Sequence, residues 1–150
     1  MSAEVKLRDV EEADVEVFFA QEQDPEAASR ANFTPRDHQA FIDHWTHKIL
    51  GDPDVRVQTI SCNGATAGNL VAWWQAERRY VGYWLGREYW GHGVGTRALS
   101  LFLEQEVTRP LWADTDIGNT ASLRLLKRCG FDEVETVREA DVEYVLLALR

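Results

Sequence analysis

The chain has 150 residues, 45% of them apolar, and a formal net charge of -9 at pH 7. That length builds one core and one active site. The charge excludes nucleic acid or an anionic membrane as partner, because phosphate binding needs a cationic face; a cationic, amine-bearing partner fits better. The longest apolar runs, such as Val145 to Leu149, are strand-length, so no membrane span is expected. Met1 to Asp14 mixes Lys6 and Arg8 with acids, which predicts no secretory leader. Cys62 and Cys129 lack disulfide or metal spacing, and His38, His44, His47 and His92 form no metal pattern. The expectation is a cytoplasmic, metal-free protein, monomer or homodimer, with core thiols.

Val5 to Val10 reads as a strand and Glu11 to Gln21 as an amphipathic helix with Val15, Phe18 and Phe19 on one side, interrupted by Pro25. From Glu11 to Glu26 there are seven acids and no Lys or Arg, a solvated face that also attracts cations. A second helix runs from Arg36 or Asp37 to Leu50 and stops at Gly51-Asp52-Pro53. Val55 to Cys62 and Ala65 to Trp74 are β-rich, and Asn63-Gly64 between them suits a type I′ hairpin turn. Tyr80 to Leu85 is a third strand. It leads through Gly86 to Trp90 into Gly91-His92-Gly93-Val94-Gly95 and a helix from about Gly95 to Val107. Leu111 to Ile117 is a strand. Asn119 caps a helix from Thr120 to Cys129 that ends at Gly130, and Asp132 to Arg138 and Asp141 to Leu149 close as a hairpin. This order describes an α/β or α+β layered domain over residues 1–150.

Three glycines at alternate positions between a strand and a helix let the backbone turn tightly beside an anion. The free N–H groups of the helix's first turn and the helix dipole then face that anion, which is the physics of a pyrophosphate cradle. Arg124, Lys127 and Arg128 share a helix face with no acid between Asn119 and Phe131. They are either solvated bases beside Asp132 and Glu133 or contacts for the ligand's phosphates. Trp73 and Trp74 face opposite ways, so only one lines the substrate side.

From Tyr80 to Phe131 the chain resembles the GNAT superfamily of acetyl-CoA-dependent N-acetyltransferases. Tyr83 to Thr96 is similar to its strand, splay loop and pyrophosphate turn, and Asn119, Ser122 and Gly130-Phe131 to its later signature. The tyrosine-tryptophan-glycine variant looks like the branch acting on protein N-termini, antibiotics and related amines. The resemblance implies a mixed, mostly antiparallel sheet of about six or seven strands with about four helices, and acetyl-CoA as co-substrate. It also implies that Gly91, His92, Gly93, Val94, Gly95 and Thr96 hold the pyrophosphate. Tyr83, Trp84 and Leu85 would offer a strand edge to the pantetheine arm, and Asn119 would reach the same arm. Arg79, Tyr80 and Val81 stand where some relatives carry a catalytic Glu, and Leu126 where a tyrosine often protonates the leaving thiolate.

Acetyl transfer requires a deprotonated amine, a polarised thioester carbonyl and a departing thiolate. A backbone N–H near Leu85 is the simplest polarising group. Alternation puts Trp112, Asp114 and Asp116 on one face, where paired acids would raise one pKa. Asp114 is the candidate general base, and it matches in position a base glutamate of the resembling ribosomal-protein acetyltransferases. Asp116, Glu77 and Glu143 stand in reserve. Two rivals remain: an inert acyl-CoA sensor lacking the Glu and Tyr, and a dinucleotide oxidoreductase with Asp114 as its ribose-binding acid.

Overall fold

The computed structural model describes residues 3–150; Met1 and Ser2, part of the opening stretch expected to carry no leader, lie outside it. The chain begins with β1 (Val5–Arg8), α1 (Glu12–Glu22) and α2 (Pro25–Ala31). Next comes α3 (His38–Asp43), which widens into a π turn over His44–Ile49. Then follow β2 (Arg56–Cys62), β3 (Ala65–Gln75), β4 (Arg78–Leu85), α4 (Val94–Gln105), β5 (Leu111–Asp116), α5 (Thr120–Arg128), β6 (Asp132–Glu139) and β7 (Val142–Leu149). Seven strands form one sheet in the order β1-β2-β3-β4-β5-β7-β6. Every neighbouring pair is antiparallel except β4 and β5, which run parallel.

Among the described residues the α-helices number five, because Pro25 opens α2 rather than merely ending α1. Proline is well placed in a first helical turn, where its missing N–H has no partner to lose, and Asp24 caps the turn through the N–H of Glu26 at 3.1 Å. The π turn keeps Phe41, Trp45 and Ile49, spaced by four, on one buried stripe. Asn63 and Gly64 turn with φ of 51° and 86°, as their sequence demands. The β3–β4 turn has positive φ at Ala76 and Glu77, which carry no turn signature, so β4 starts two residues before Tyr80.

Alternation divides the core between the two sheet faces. Leu70, Ala72, Val81, Leu111, Ala113 and Leu147 pack against Ala98, Leu99 and Phe102 of α4 and Leu126 of α5. Val57 and Val71 pack on the opposite face with Phe18, Phe41 and Trp45. The N-terminus of α1 is tied to the sheet by Asp14, which is 3% exposed. Its carboxylate accepts from Arg8 at 2.6 and 2.9 Å, Thr59 at 2.9 Å and Thr66 at 2.8 Å, and caps Glu11 N–H at 2.8 Å. Burial alone would raise its pKa; those five donors reverse the sign and hold it well below the ordinary 3.8.

Candidate active site

The parallel pairing of β4 with β5 lasts for two rungs, Arg79 with Leu111 and Tyr80 with Trp112, and then the strands part. The wedge is a cavity of about 600 Å³, walled by Val81 to Leu85 of β4, Ala113 to Asp116 of β5, the β4–α4 loop, α5 and α2. Strand alternation decides which β4 backbone groups face it. The carbonyl of Trp84 is directed at Gly68, so closely that a Cβ there would lie 2.1 Å away. The backbone of Trp84 therefore faces β3, and Val81, Tyr83 and Leu85 turn theirs toward the wedge. Trp90 Nε1 donates to the Leu85 carbonyl at 2.9 Å, leaving the Leu85 N–H free for a ligand. Trp84 instead donates its indole N–H to the Gln21 carbonyl at 3.1 Å. Of the three expected edge residues, Tyr83 and Leu85 offer backbone, while Trp84 lines the cavity with its ring.

At one end lies the glycine loop. Gly91 and Gly93 have φ of 75° and 77°, and a Cβ on either would meet nothing within 4 Å. They serve the left-handed turn and leave room above it. Gly93 is the N-cap of α4, and the first intrahelical donor is Arg97, bonding the Gly93 carbonyl at 3.1 Å. The N–H groups of Val94, Gly95 and Thr96 thus have no helical acceptor, and no acid occupies that turn. Gly95 has a different reason to be glycine: a Cβ would sit 2.6 Å from Leu125 Cδ1, so its smallness lets α4 and α5 approach. His92 is exposed and does not line the cavity. Val94 buries its side chain in the core and contributes only its N–H.

Asn119 lines the cavity and caps α5, its Oδ1 accepting from Ser122 N–H at 3.3 Å. Its amide NH2 bonds to no described residue and is available to a ligand. Arg30, Arg124 and Arg128 also line the wedge, and none has a carboxylate within 4.0 Å among the described residues. Lys127 instead pairs with Glu133 at 3.2 Å. No sequence pattern marks Arg30, which reaches the cavity through the placement of α2. Leu126 is 1% exposed, part of the core rather than a proton donor.

Asp114 stands on the β5 wall, shared with a second cavity of about 290 Å³ that Asn32, Asp116 and Tyr144 also line. No described residue hydrogen-bonds its carboxylate. Its side chain opens to the cleft, and the surrounding concave wall raises its pKa above 3.8 by burial alone. The expected coupling to Asp116 is not the cause. Asp116 accepts from Asn32 at 3.2 Å and from Gly118 N–H at 2.9 Å. The other reserve acids are remote: Glu77 sits in the β3–β4 turn, and Glu143 pairs with Arg138 at 3.2 Å. Where a catalytic Glu would stand in β4, Arg79 is 6% exposed and paired with Glu106 at 2.9 Å.

Trp73 stacks on Tyr80 with centroids 5.9 Å apart and covers Gly82, while Trp74 is 52% exposed on the other face. Among the described residues no cluster of three His, Cys, Asp or Glu is placed to hold a metal, and no helix is long and apolar enough to cross a membrane. A dinucleotide site of the doubly wound kind would need the loop after the first strand of a parallel sheet. Here it follows β4 of a mostly antiparallel one, which removes the oxidoreductase alternative.

Residues 4–132 match the acetyltransferase (GNAT) domain family. No curated protein matches the sequence. Spermidine N-acetyltransferase from Vibrio cholerae, solved with CoA and spermine, shares the fold with a TM-score of 0.80 at 13% identity, over 97% of this chain and 94% of that one. Aminoglycoside acetyltransferase AAC(6')-Ib, solved with coenzyme A, gives 0.78 at 19%, over 97% and 94%. The ribosomal L7/L12 α-N-protein acetyltransferase RimL, also with coenzyme A, gives 0.74 at 17%, over 97% and 94%. At these identities the likeness establishes the fold.

Proposed function

Since the chain belongs to the acetyltransferase (GNAT) domain family, we propose that it transfers the acetyl group of acetyl-CoA to an amine on a cationic acceptor, by direct attack with both substrates bound. The observation that carries this is the wedge between β4 and β5. It joins strand backbone at Tyr83 and the Leu85 N–H, an open helix N-terminus at Val94 to Thr96, and a lone carboxylate at Asp114 within one cavity.

Each part supplies a distinct service. The N–H groups of Val94, Gly95 and Thr96 hold the pyrophosphate, with Gly91 and Gly93 keeping Cβ atoms out of the way. Val81, Tyr83 and Leu85 receive the pantetheine amides as a strand would, and the NH2 of Asn119 completes that grip. Acetyl-CoA supplies the activated thioester. A backbone N–H of this β4 edge near Leu85 polarises its carbonyl, and positioning of the two substrates provides much of the acceleration. The attacking nitrogen must be neutral, and a lysine-like amine has a solution pKa near ~10.4. Asp114 takes its proton; the pKa of Asp114, raised by the concave wall around it, makes it a better base than an aspartate on an open surface.

The acceptor side favours cations. Asp114 and Asp116 border the second cavity, and the surrounding chain has a net charge of -9. The solved neighbours include proteins with spermine or kanamycin bound, which supports an acceptor with several amino groups. Cys62 and Cys129 are free thiols, in keeping with a reducing, cytoplasmic setting. Thiol release from acetyl-CoA, measured across polyamines, aminoglycosides and peptide N-termini, tests the reading. Turnover with any of them supports an enzyme, and binding without turnover across the panel would favour an inert acyl-CoA sensor.

A further inference from the structure

α2 lies between the two halves of the site. Its first turn is held to the β4–α4 loop by Arg87, which pairs with Asp24 and, at 3.4 Å, with Glu26. Just past its end, Asn32 donates to Asp116 at 3.2 Å on the acceptor wall, and Phe33 meets the Trp84 ring edge-on at 5.6 Å. Between these anchors Arg30 sets its guanidinium 4.0 Å from the centre of the Trp90 ring, next to the glycine loop and on the cavity surface. Arg87, in the β4–α4 loop, has two carboxylates; Arg30 has none among the described residues.

A guanidinium whose carbon lies over an indole face spends no N–H donor on a carboxylate there, and it prefers phosphate oxygens, which it binds in pairs. Trp90 immediately precedes Gly91, so the stack fixes these donors at the phosphate end of the wedge. We propose that Arg30 is a phosphate-binding residue for the coenzyme, delivered from α2, and that its engagement couples coenzyme binding to the placement of the acceptor wall. This rests on the acetyl-CoA reading above. The coupling is mechanical: the helix that reaches the coenzyme at Arg30 ends at the residue that holds Asp116.

The test compares wild type, Arg30→Gln and Arg30→Lys. Calorimetry with acetyl-CoA should show Kd rising about tenfold in R30Q, with R30K intermediate. With S-acetylpantetheine, which carries the same thioester and arm but no phosphate, kcat/KM should be unchanged in R30Q. Hydrogen exchange of the Pro25–Ala31 amides should slow on adding coenzyme A to wild type and not to R30Q. An unchanged acetyl-CoA Kd in R30Q would overturn the proposal, as would equal losses with both thioesters, which mark Arg30 as packing only. Equal protection of α2 in R30Q and wild type would overturn the coupling. Failure of the wild type to bind acetyl-CoA would instead bring down the functional reading itself.

Discussion

Tyr83 Oη lies 2.5 Å from Ser122 Oγ, a bond that ties β4 to α5 beneath the wedge. Burial pushes the Tyr83 hydroxyl up to about 12, against the opposing pull of Ser122. A raised folded-state pKa means that the native protein holds this proton more tightly than the unfolded chain. The resulting stability is complete below the unfolded value near ~10 and is lost as pH rises toward about 12. Tyr83→Phe should lower stability by about 1 kcal/mol at neutral pH, the ordinary worth of one buried hydrogen bond. It should also flatten the alkaline arm of the urea-unfolding profile. An alkaline arm as steep as in wild type would remove Tyr83 as its source.

Asp114→Asn should leave acetyl-CoA affinity intact and lower kcat by roughly 10² to 10⁴ at neutral pH, recovering in part at higher pH where more amine is already free. A base with a raised pKa loses function as pH falls through that value, so the acid limb of wild-type kcat/KM should inflect above 3.8 and vanish in the variant. A variant with the wild-type rate and acid limb would take Asp114 out of the mechanism.

The glycines of the loop should separate under substitution. Gly93→Val forces a branched residue to φ 77° and intrudes on open space, so it should abolish coenzyme binding. Gly95→Val drives its Cβ against the end of the Leu125 side chain and should lower Tm through repacking between α4 and α5, whereas the cost of Gly93→Val lies in its backbone. Thermal melts with and without acetyl-CoA resolve the two. In wild type, acetyl-CoA at a hundredfold excess over Kd should add about 2.7 kcal/mol, and NADH should add nothing.

Asp14→Asn leaves the Arg8 guanidinium without its carboxylate in a mostly buried site and should cost about 3 kcal/mol in urea unfolding. The folded pKa of Asp14 is depressed, so its contribution is whole above the unfolded value near ~3.9 and disappears only as pH falls below that. The wild-type stability advantage over D14N should therefore shrink between pH ~4 and more acidic values. An advantage that holds constant through that range would contradict the assignment.

The strands, the glycine loop and the cap at Asn119 were legible in the sequence because each rests on local chemistry: alternation, positive φ, and a side chain bonding its own helix. What stayed hidden depends on chain segments far apart. Arg30 and Trp90 are sixty residues distant and meet only because α2 folds over the β4–α4 loop. Gly95 reads as part of a phosphate turn until Leu125 of the neighbouring helix is seen against it. Asp114 is a candidate from counting along β5, and of the two causes expected for a raised pKa, a partly buried wall and a paired acid, only the wall acts. Burial is a property of the assembled wall, and the sequence shows only spacing. The Ala76–Glu77 turn carries no local signature at all, and the hydrogen-bonded pairing of β3 with β4 imposes it.

The parting of β4 from β5 after Tyr80 and Trp112 has an evolutionary corollary. On the proposed reading, recognition of the coenzyme arm there falls to peptide N–H and C=O groups, which every residue but proline possesses in full. Side chains at Val81, Tyr83 and Leu85 are thereby released from reading the ligand and answer to the packing beneath them and, at Tyr83, to the bond with Ser122. A substitution at these places is tolerated whenever it packs, so drift can rewrite the strand without dismantling the cleft. Architecture shared at 13 to 19% identity is what such a division of labour permits. By the same logic proline is the one residue that position 83 or 85 should never accept, since it would delete a cleft-facing donor.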